Sequence, residues 1–104
     1  GYEVVQIKPN VPLGLNSAAT TYDSVRGPID TSWQVEGNQF TLKVTIPANA
    51  SAVVTVPALD ASSVREGDQA AKEATGVRFL RAEPSAAVFT VGSGSYVFHS
   101  TLKP

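Results

Sequence analysis

The sequence predicts an all-β fold: a single antiparallel β-sandwich of about eight short strands. Three observations predict it. Phe40, Leu42, Val44 and Ile46 alternate with Thr41, Lys43 and Thr45, and after a Pro-Ala-Asn turn Ala52, Val54 and Val56 alternate again up to Pro57. Period-two alternation buries one face of a strand and wets the other. Similar segments recur at roughly ten-residue spacing between polar turns, the rhythm of a sandwich or small barrel. The one helix-friendly window, residues 60–74, lacks a sustained apolar stripe at i, i+3 and i+4.

The first strand is expected over residues 3–8 and stops at Pro9, which has no amide to donate to a ladder. A turn-rich connector around Pro12, Leu13 and Gly14 leads to a second strand over residues 15–22. Its small Ser, Thr and Ala side chains suit a sheet edge or a close approach to another backbone. After the turn at Asp23 to Pro28, Ile29, Thr31, Trp33 and Val35 form a third alternating segment. Gly37-Asn38 then fits a two-residue hairpin of type II′ or I′, because its first position needs positive φ. The segments from Ile29 to Pro57 therefore read as three sequential strands joined by tight turns, with the Phe40 and Ala52 segments paired in one antiparallel sheet. Residues 60–74 read as a loop with one helical turn. Strands follow over residues 77–81, 87–91 and 96–100, with turns at Glu83-Pro84-Ser85 and Gly92-Ser93-Gly94, the latter expected to close a tight hairpin.

A chain of 104 residues fits one domain and buries roughly 65% of its unfolded surface, enough for one modest core. With 42% hydrophobic and 16% charged residues it is a folded chain rather than a disordered one. A net charge of −1, with charges scattered along the sequence, provides no electrostatic footprint for nucleic acid or an anionic membrane. The absence of cysteine excludes disulfides and thiolate metal sites. No apolar stretch approaches the ~18 residues of a membrane span. The chain opens inside a strand pattern without a Met, which reads as an excised domain or a processed product, the excised domain being favoured.

Reactive groups are sparse. His99 is the single histidine and stands on the last strand, where a surface or rim position is expected. Gly92-Ser93-Gly94-Ser95 lacks the strand-to-helix context of a nucleophile elbow. Three acids between Asp60 and Asp68 do not follow the order of a calcium loop. Asp23, Asp30 and Glu36 are weighed as a glycosidase carboxylate pair and read instead as turn formers. Trp33, Tyr22 and Tyr96 are weighed as an aromatic sugar platform, against Trp33 as a core anchor; the core is favoured. Asn49-Ala50-Ser51 matches an N-glycosylation acceptor but reads as turn chemistry. No catalytic, cofactor-binding or metal-ligating residue is assigned, no cofactor is expected, and no binding residue is specified.

Taken in order, Pro12 to Ala18, Tyr22-Asp23-Ser24, Gly27-Pro28-Ile29, Trp33, Phe40 through Ile46-Pro47-Ala48-Asn49, Ala52 through Pro57, Gly76-Val77-Arg78-Phe79 and Val91 through Phe98 are similar to one known module. The chain resembles the C-terminal β-sandwich domain of bacterial α-L-rhamnosidases of glycoside hydrolase family 78, over nearly its whole length. The resemblance implies a parent that hydrolyses terminal α-L-rhamnosyl residues with inversion, its acid and base carboxylates lying on an upstream (α/α)6 barrel. No residue here matches those catalytic motifs. It implies residues 1–104 as one non-catalytic accessory domain whose partner is the catalytic barrel of the same polypeptide, with Tyr2, Val4, Val5 and Ile7 as the expected contact. The parent is expected to be periplasmic or secreted. The alternatives are a carbohydrate-binding module for rhamnose-containing glycan and an immunoglobulin-like interaction domain unrelated to sugars.

Overall fold

Phe40, Leu42, Val44 and Ile46 do line the interior, but the strand that follows them lies across the core rather than beside them. The computed structural model describes residues 4–9 and 16–102. The connector around Leu13, the start of the second strand at Leu15, and Glu3 lie outside the described residues. Ten strands occur among those described: β1 (Val4–Ile7), β2 (Ser17–Ser24), β3 (Gly27–Glu36), β4 (Gln39–Ile46), β5 (Ser51–Pro57), β6 (Arg65–Glu66), β7 (Gln69–Ala70), β8 (Val77–Glu83), β9 (Ala86–Val91) and β10 (Gly94–Thr101). They form a four-stranded sheet of order β1-β5-β9-β8 and a six-stranded sheet of order β2-β3-β4-β10-β6-β7. The fold is an all-β sandwich dominated by antiparallel pairs.

The β3–β4 hairpin is as expected. Glu36 faces Gln39 across Gly37-Asn38. Gly37 has φ of +63° while Asn38 is not among the positive-φ residues, which matches the type II′ option. The meander does not continue into β5. That strand belongs to the other sheet, so the paired reading of the Phe40 and Ala52 segments is corrected to an arch that bridges the sandwich. Pro47-Ala48-Asn49-Ala50 makes the crossing: Asn49 takes a left-handed φ of 64°, Ala50 N–H donates to the Pro47 carbonyl at 3.3 Å, and Ala50 is buried. Hairpin and arch both turn the same alternate side chains toward one interior, so alternation cannot distinguish them.

The Gly92 turn is corrected in the same way. It carries the chain from β9 in one sheet to β10 in the other, where β10 pairs with β4. A third departure is β1, which pairs with β5 in parallel, Val5 beside Ala52 and Ile7 beside Val54. The first three strands of the six-stranded sheet (β2, β3 and β4) separate the two in sequence, which gives the long connection that parallel neighbours require. Residues 60–74 hold two single-turn 3-10 segments and the β6–β7 hairpin, rather than one helical turn in a loop. Asp60 caps the first: its carboxylate accepts from Ser62 N–H at 2.9 Å and Ser62 Oγ at 2.8 Å, and those bonds hold it below the usual carboxylate range.

The core lies between the sheets. Ile7, Ala52, Val54, Val56, Ala87, Phe89 and Val91 come from one side, and Ile29, Trp33, Phe40, Leu42, Val44 and Phe98 from the other. An aromatic run ties them together. Phe89 stacks on Phe98 at 5.6 Å, Phe98 on Tyr96 at 6.3 Å, and Phe79 meets Phe89 edge-on at 5.7 Å. Because Phe89 and Phe98 belong to different sheets, this run bridges the sandwich.

Candidate interaction surface

Trp33 is only 7% exposed and stacks on Phe40 at 6.0 Å, inside the core as favoured. Tyr96 is buried on β10 and Tyr22 half-buried on β2. The three rings therefore do not assemble an outward sugar platform; Trp33 and Tyr96 both face the interior. Asn49 occupies the inter-sheet arch, where its left-handed backbone accounts for the residue type.

The weighed acids sit on the outer face of the six-stranded sheet. Asp30 accepts from Thr21 Oγ1 at 2.9 Å, and Glu36 accepts from Gln34 Nε2 at 2.6 Å. Six residues of strand separate Asp30 from Glu36, about 20 Å at the rise of a strand, too far to flank one glycosidic bond. Asp23 and Asp30 are diagonal neighbours across β2 and β3, but both are exposed on an open sheet face. His99 is half-buried on that same face, its Nδ1 at 3.4 Å from Thr41 Oγ1. Among the described residues no three His, Asp or Glu side chains gather as a metal site.

Tyr96 has a different task. Its hydroxyl donates to the Gly92 carbonyl at 3.0 Å, with the Ser93 carbonyl at 3.2 Å, and so clamps the arch between β9 and β10. Gly76 makes room for it and accepts from Gly92 N–H at 3.1 Å. Nearby, the Glu66 carboxylate accepts from Val97 N–H at 3.1 Å. Burial, and after it the charge of Glu66, pushes the Tyr96 phenol above the usual value of 10.0. A pKa raised on folding gives stability that is intact below the unfolded value and lost as pH climbs through the folded one. Stability is therefore expected to fall above about pH 10, and more steeply than in Tyr96→Phe, which has no proton to lose. Urea midpoints measured for both proteins up to about pH 11 check this; parallel pH profiles would refute it.

The feature that alternation alone did not reveal is an apolar edge. β8 is the last strand of its sheet, and it carries Phe79 at 43% and Leu80 at 45% exposure, with Leu59 at 54%. A groove of about 310 Å³ runs beneath Phe79, walled mainly by Ala61, Val64, Ala70, Ala82 and Phe89, with Asp60, Ser62 and Lys72 also lining it. A register shift between Phe79 and Arg81 breaks the ladder there. The sequence holds a signal for it: Phe79 and Leu80 are consecutive apolar residues where alternation requires one polar residue. The contact expected at Tyr2, Val4, Val5 and Ile7 falls partly outside the described residues. Ile7 is buried in the core and Val5 packs against it, while Tyr2 and the Val4 side chain lie outside the described residues.

The family model described as "Bacterial alpha-L-rhamnosidase C-terminal domain" matches residues 1–71. An alpha-L-rhamnosidase of Streptomyces avermitilis is 38% identical over 98 residues, covering 94% of this chain and 9% of its own length. One from Formosa agariphila is 22% identical over 100 residues, covering 96% of this chain and 11% of its own. The crystal structure of the Streptomyces avermitilis alpha-L-rhamnosidase complexed with L-rhamnose superposes with a TM-score of 0.81 at 37% identity, over 97% of this chain and 9% of that one. The alpha-L-rhamnosidase of Dictyoglumus thermophilum gives 0.78 at 28% identity, over 96% and 11%. This chain thus spans about a tenth of the length of the relatives it matches.

Proposed function

Because the chain belongs to the bacterial alpha-L-rhamnosidase C-terminal domain family, we propose that it is a non-catalytic accessory domain, residues 1–104, that packs against and stabilises the catalytic barrel of a parent inverting α-L-rhamnosidase. The observation that carries this reading is the asymmetry of coverage: nearly all of this chain aligns with about a tenth of each relative. In such proteins most of the polypeptide lies elsewhere and is available as a neighbour. The sandwich offers that neighbour the β8 edge, where Phe79 and Leu80 expose apolar area and Phe79 borders a largely apolar groove. Removing that area from water on both partners supplies a non-directional driving force for docking. The aromatic and ionisable side chains weighed for sugar chemistry are engaged in the core, in turns or on an open sheet face, which also favours a scaffold.

Deleting this domain from a full-length parent is expected to lower its melting temperature by several degrees. Phe79→Asp with Leu80→Asp should lower the melting temperature of the parent by more than it lowers that of the 104-residue chain, where the two side chains are 43% and 45% exposed and only their contacts within the sandwich are lost. Differential scanning calorimetry reads each result. A parent that melts unchanged after both alterations would sink the proposal.

A further inference from the structure

The sandwich has four sheet edges among the described residues, and three are visibly blunted. β1 has four described residues and is followed by Pro9, and β7 has two residues. β8 carries a register shift, Arg78, Arg81 and a closing Pro84. Short length, bulges, cations and proline are the devices that keep edges from pairing with other chains. β2 has none of them. Its eight residues, Ser-Ala-Ala-Thr-Thr-Tyr-Asp-Ser, pair with β3 in unbroken register from Ser17–Gln34 to Ser24–Gly27. Among the described residues only β3 pairs with it.

The hydrogen-bonding phase of the free side follows from one bond. Val35 N–H donates to the Asn16 carbonyl at 2.7 Å, so residue 16 turns its backbone groups toward β3. Strand residues alternate in this respect. Ala18, Thr20, Tyr22 and Ser24 therefore also point toward β3, and Ser17, Ala19, Thr21 and Asp23 present their N–H and C=O groups outward.

We propose that β2 is a strand-addition edge whose occupant is β2 of a second copy of this chain, paired antiparallel about a two-fold axis through Thr20. In that register Ser17 faces Asp23 of the other copy and Ala19 faces Thr21, so every pair that exchanges backbone hydrogen bonds joins two outward-pointing residues. Thr20 meets Thr20, and Ala18 meets Tyr22, small against large on the core side. Threonine pairs and aromatic contacts favour antiparallel neighbours, and the single charge of the strand, Asp23, meets a serine instead of a like charge. One patch is used by both copies, the isologous contact of a two-fold dimer. The two six-stranded sheets become one continuous twelve-stranded sheet. β8 borders the other sheet and remains uncovered by this contact, so the pairing is independent of the role proposed for that edge.

Light scattering on the 104-residue chain, from about 10 μM to about 1 mM, tests the proposal. The mass is expected to rise with concentration from 10.9 kDa toward twice that value. Ala19→Pro removes an outward N–H without touching the β3 ladder, and Thr20→Lys sets two cations face to face on the axis; each is expected to abolish the rise. A second readout needs no variant. Amide exchange followed by NMR should slow with concentration at Ser17, Ala19, Thr21 and Asp23 and stay constant at Ala18, Thr20 and Tyr22. A mass that stays at one chain throughout, a dimer that survives both substitutions, or exchange at the four outward amides that ignores concentration would each overturn it.

Discussion

Phe89→Ala is expected to cost about 3–5 kcal/mol, a large part of the roughly 5–15 kcal/mol that holds a domain of this size together. The ring is buried and sits where the sheets are tied. It stacks on Phe98 from the opposite sheet at 5.6 Å and receives the edge of Phe79 at 5.7 Å. Truncation removes its transfer free energy, leaves a cavity between two sheets that relax only in part, and breaks both ring contacts, each worth about 0.5–1.5 kcal/mol beyond area. The check is urea unfolding: the midpoint should fall sharply with little change in slope. Phe79→Ala is the control, since that ring is 43% exposed and forfeits far less burial. Similar losses for the two variants would show that the bridge between the sheets does not depend on Phe89.

Gly76→Ala is expected to destabilise by about 2–5 kcal/mol through two separable costs. The backbone at Gly76 has φ of +84°, a conformation costing an L-residue roughly 1–2 kcal/mol. A Cβ there would also stand 2.5 Å from the Tyr96 hydroxyl oxygen. That oxygen cannot swing aside cheaply, because it bonds to the Gly92 carbonyl and its ring stacks on Phe98. Tyr96→Phe alone should cost about 1–3 kcal/mol, since it leaves the arch carbonyls without their donor. In the double variant the clashing atom is gone, so the combined loss should be smaller than the sum. Strict additivity in a denaturant-based cycle would mean that the hydroxyl does not hold the arch against Gly76.

Most strands were legible because each encodes its own burial. Phe40, Leu42, Val44 and Ile46 alternate with polar residues, and the structure buries all four. Residues 15–22 read as a strand at an edge or close against another backbone from their small side chains, and among the described residues β2 borders its sheet. The Gly37-Asn38 hairpin was legible from the conformational needs of its first residue. Trp33 was readable as a core ring. The chemistry of the family was legible only through resemblance, since no local cluster of side chains announces it.

What the sequence determined by itself is eight of the ten strands, the inward face of those that alternate and the family to which the chain belongs; the short β6 and β7 escaped it. Partnership was decided by the tertiary structure. Whether Ile46 and Ala52 are joined by a hairpin or an arch, whether β1 runs parallel to β5, and that Gly76 lies against Tyr96 twenty residues later all depend on contacts between distant segments. The physical reason is that alternation records only whether a side chain is wet or dry. A dry face is satisfied equally by a neighbour in its own sheet or by one across the core, and packing of the whole chain makes that choice.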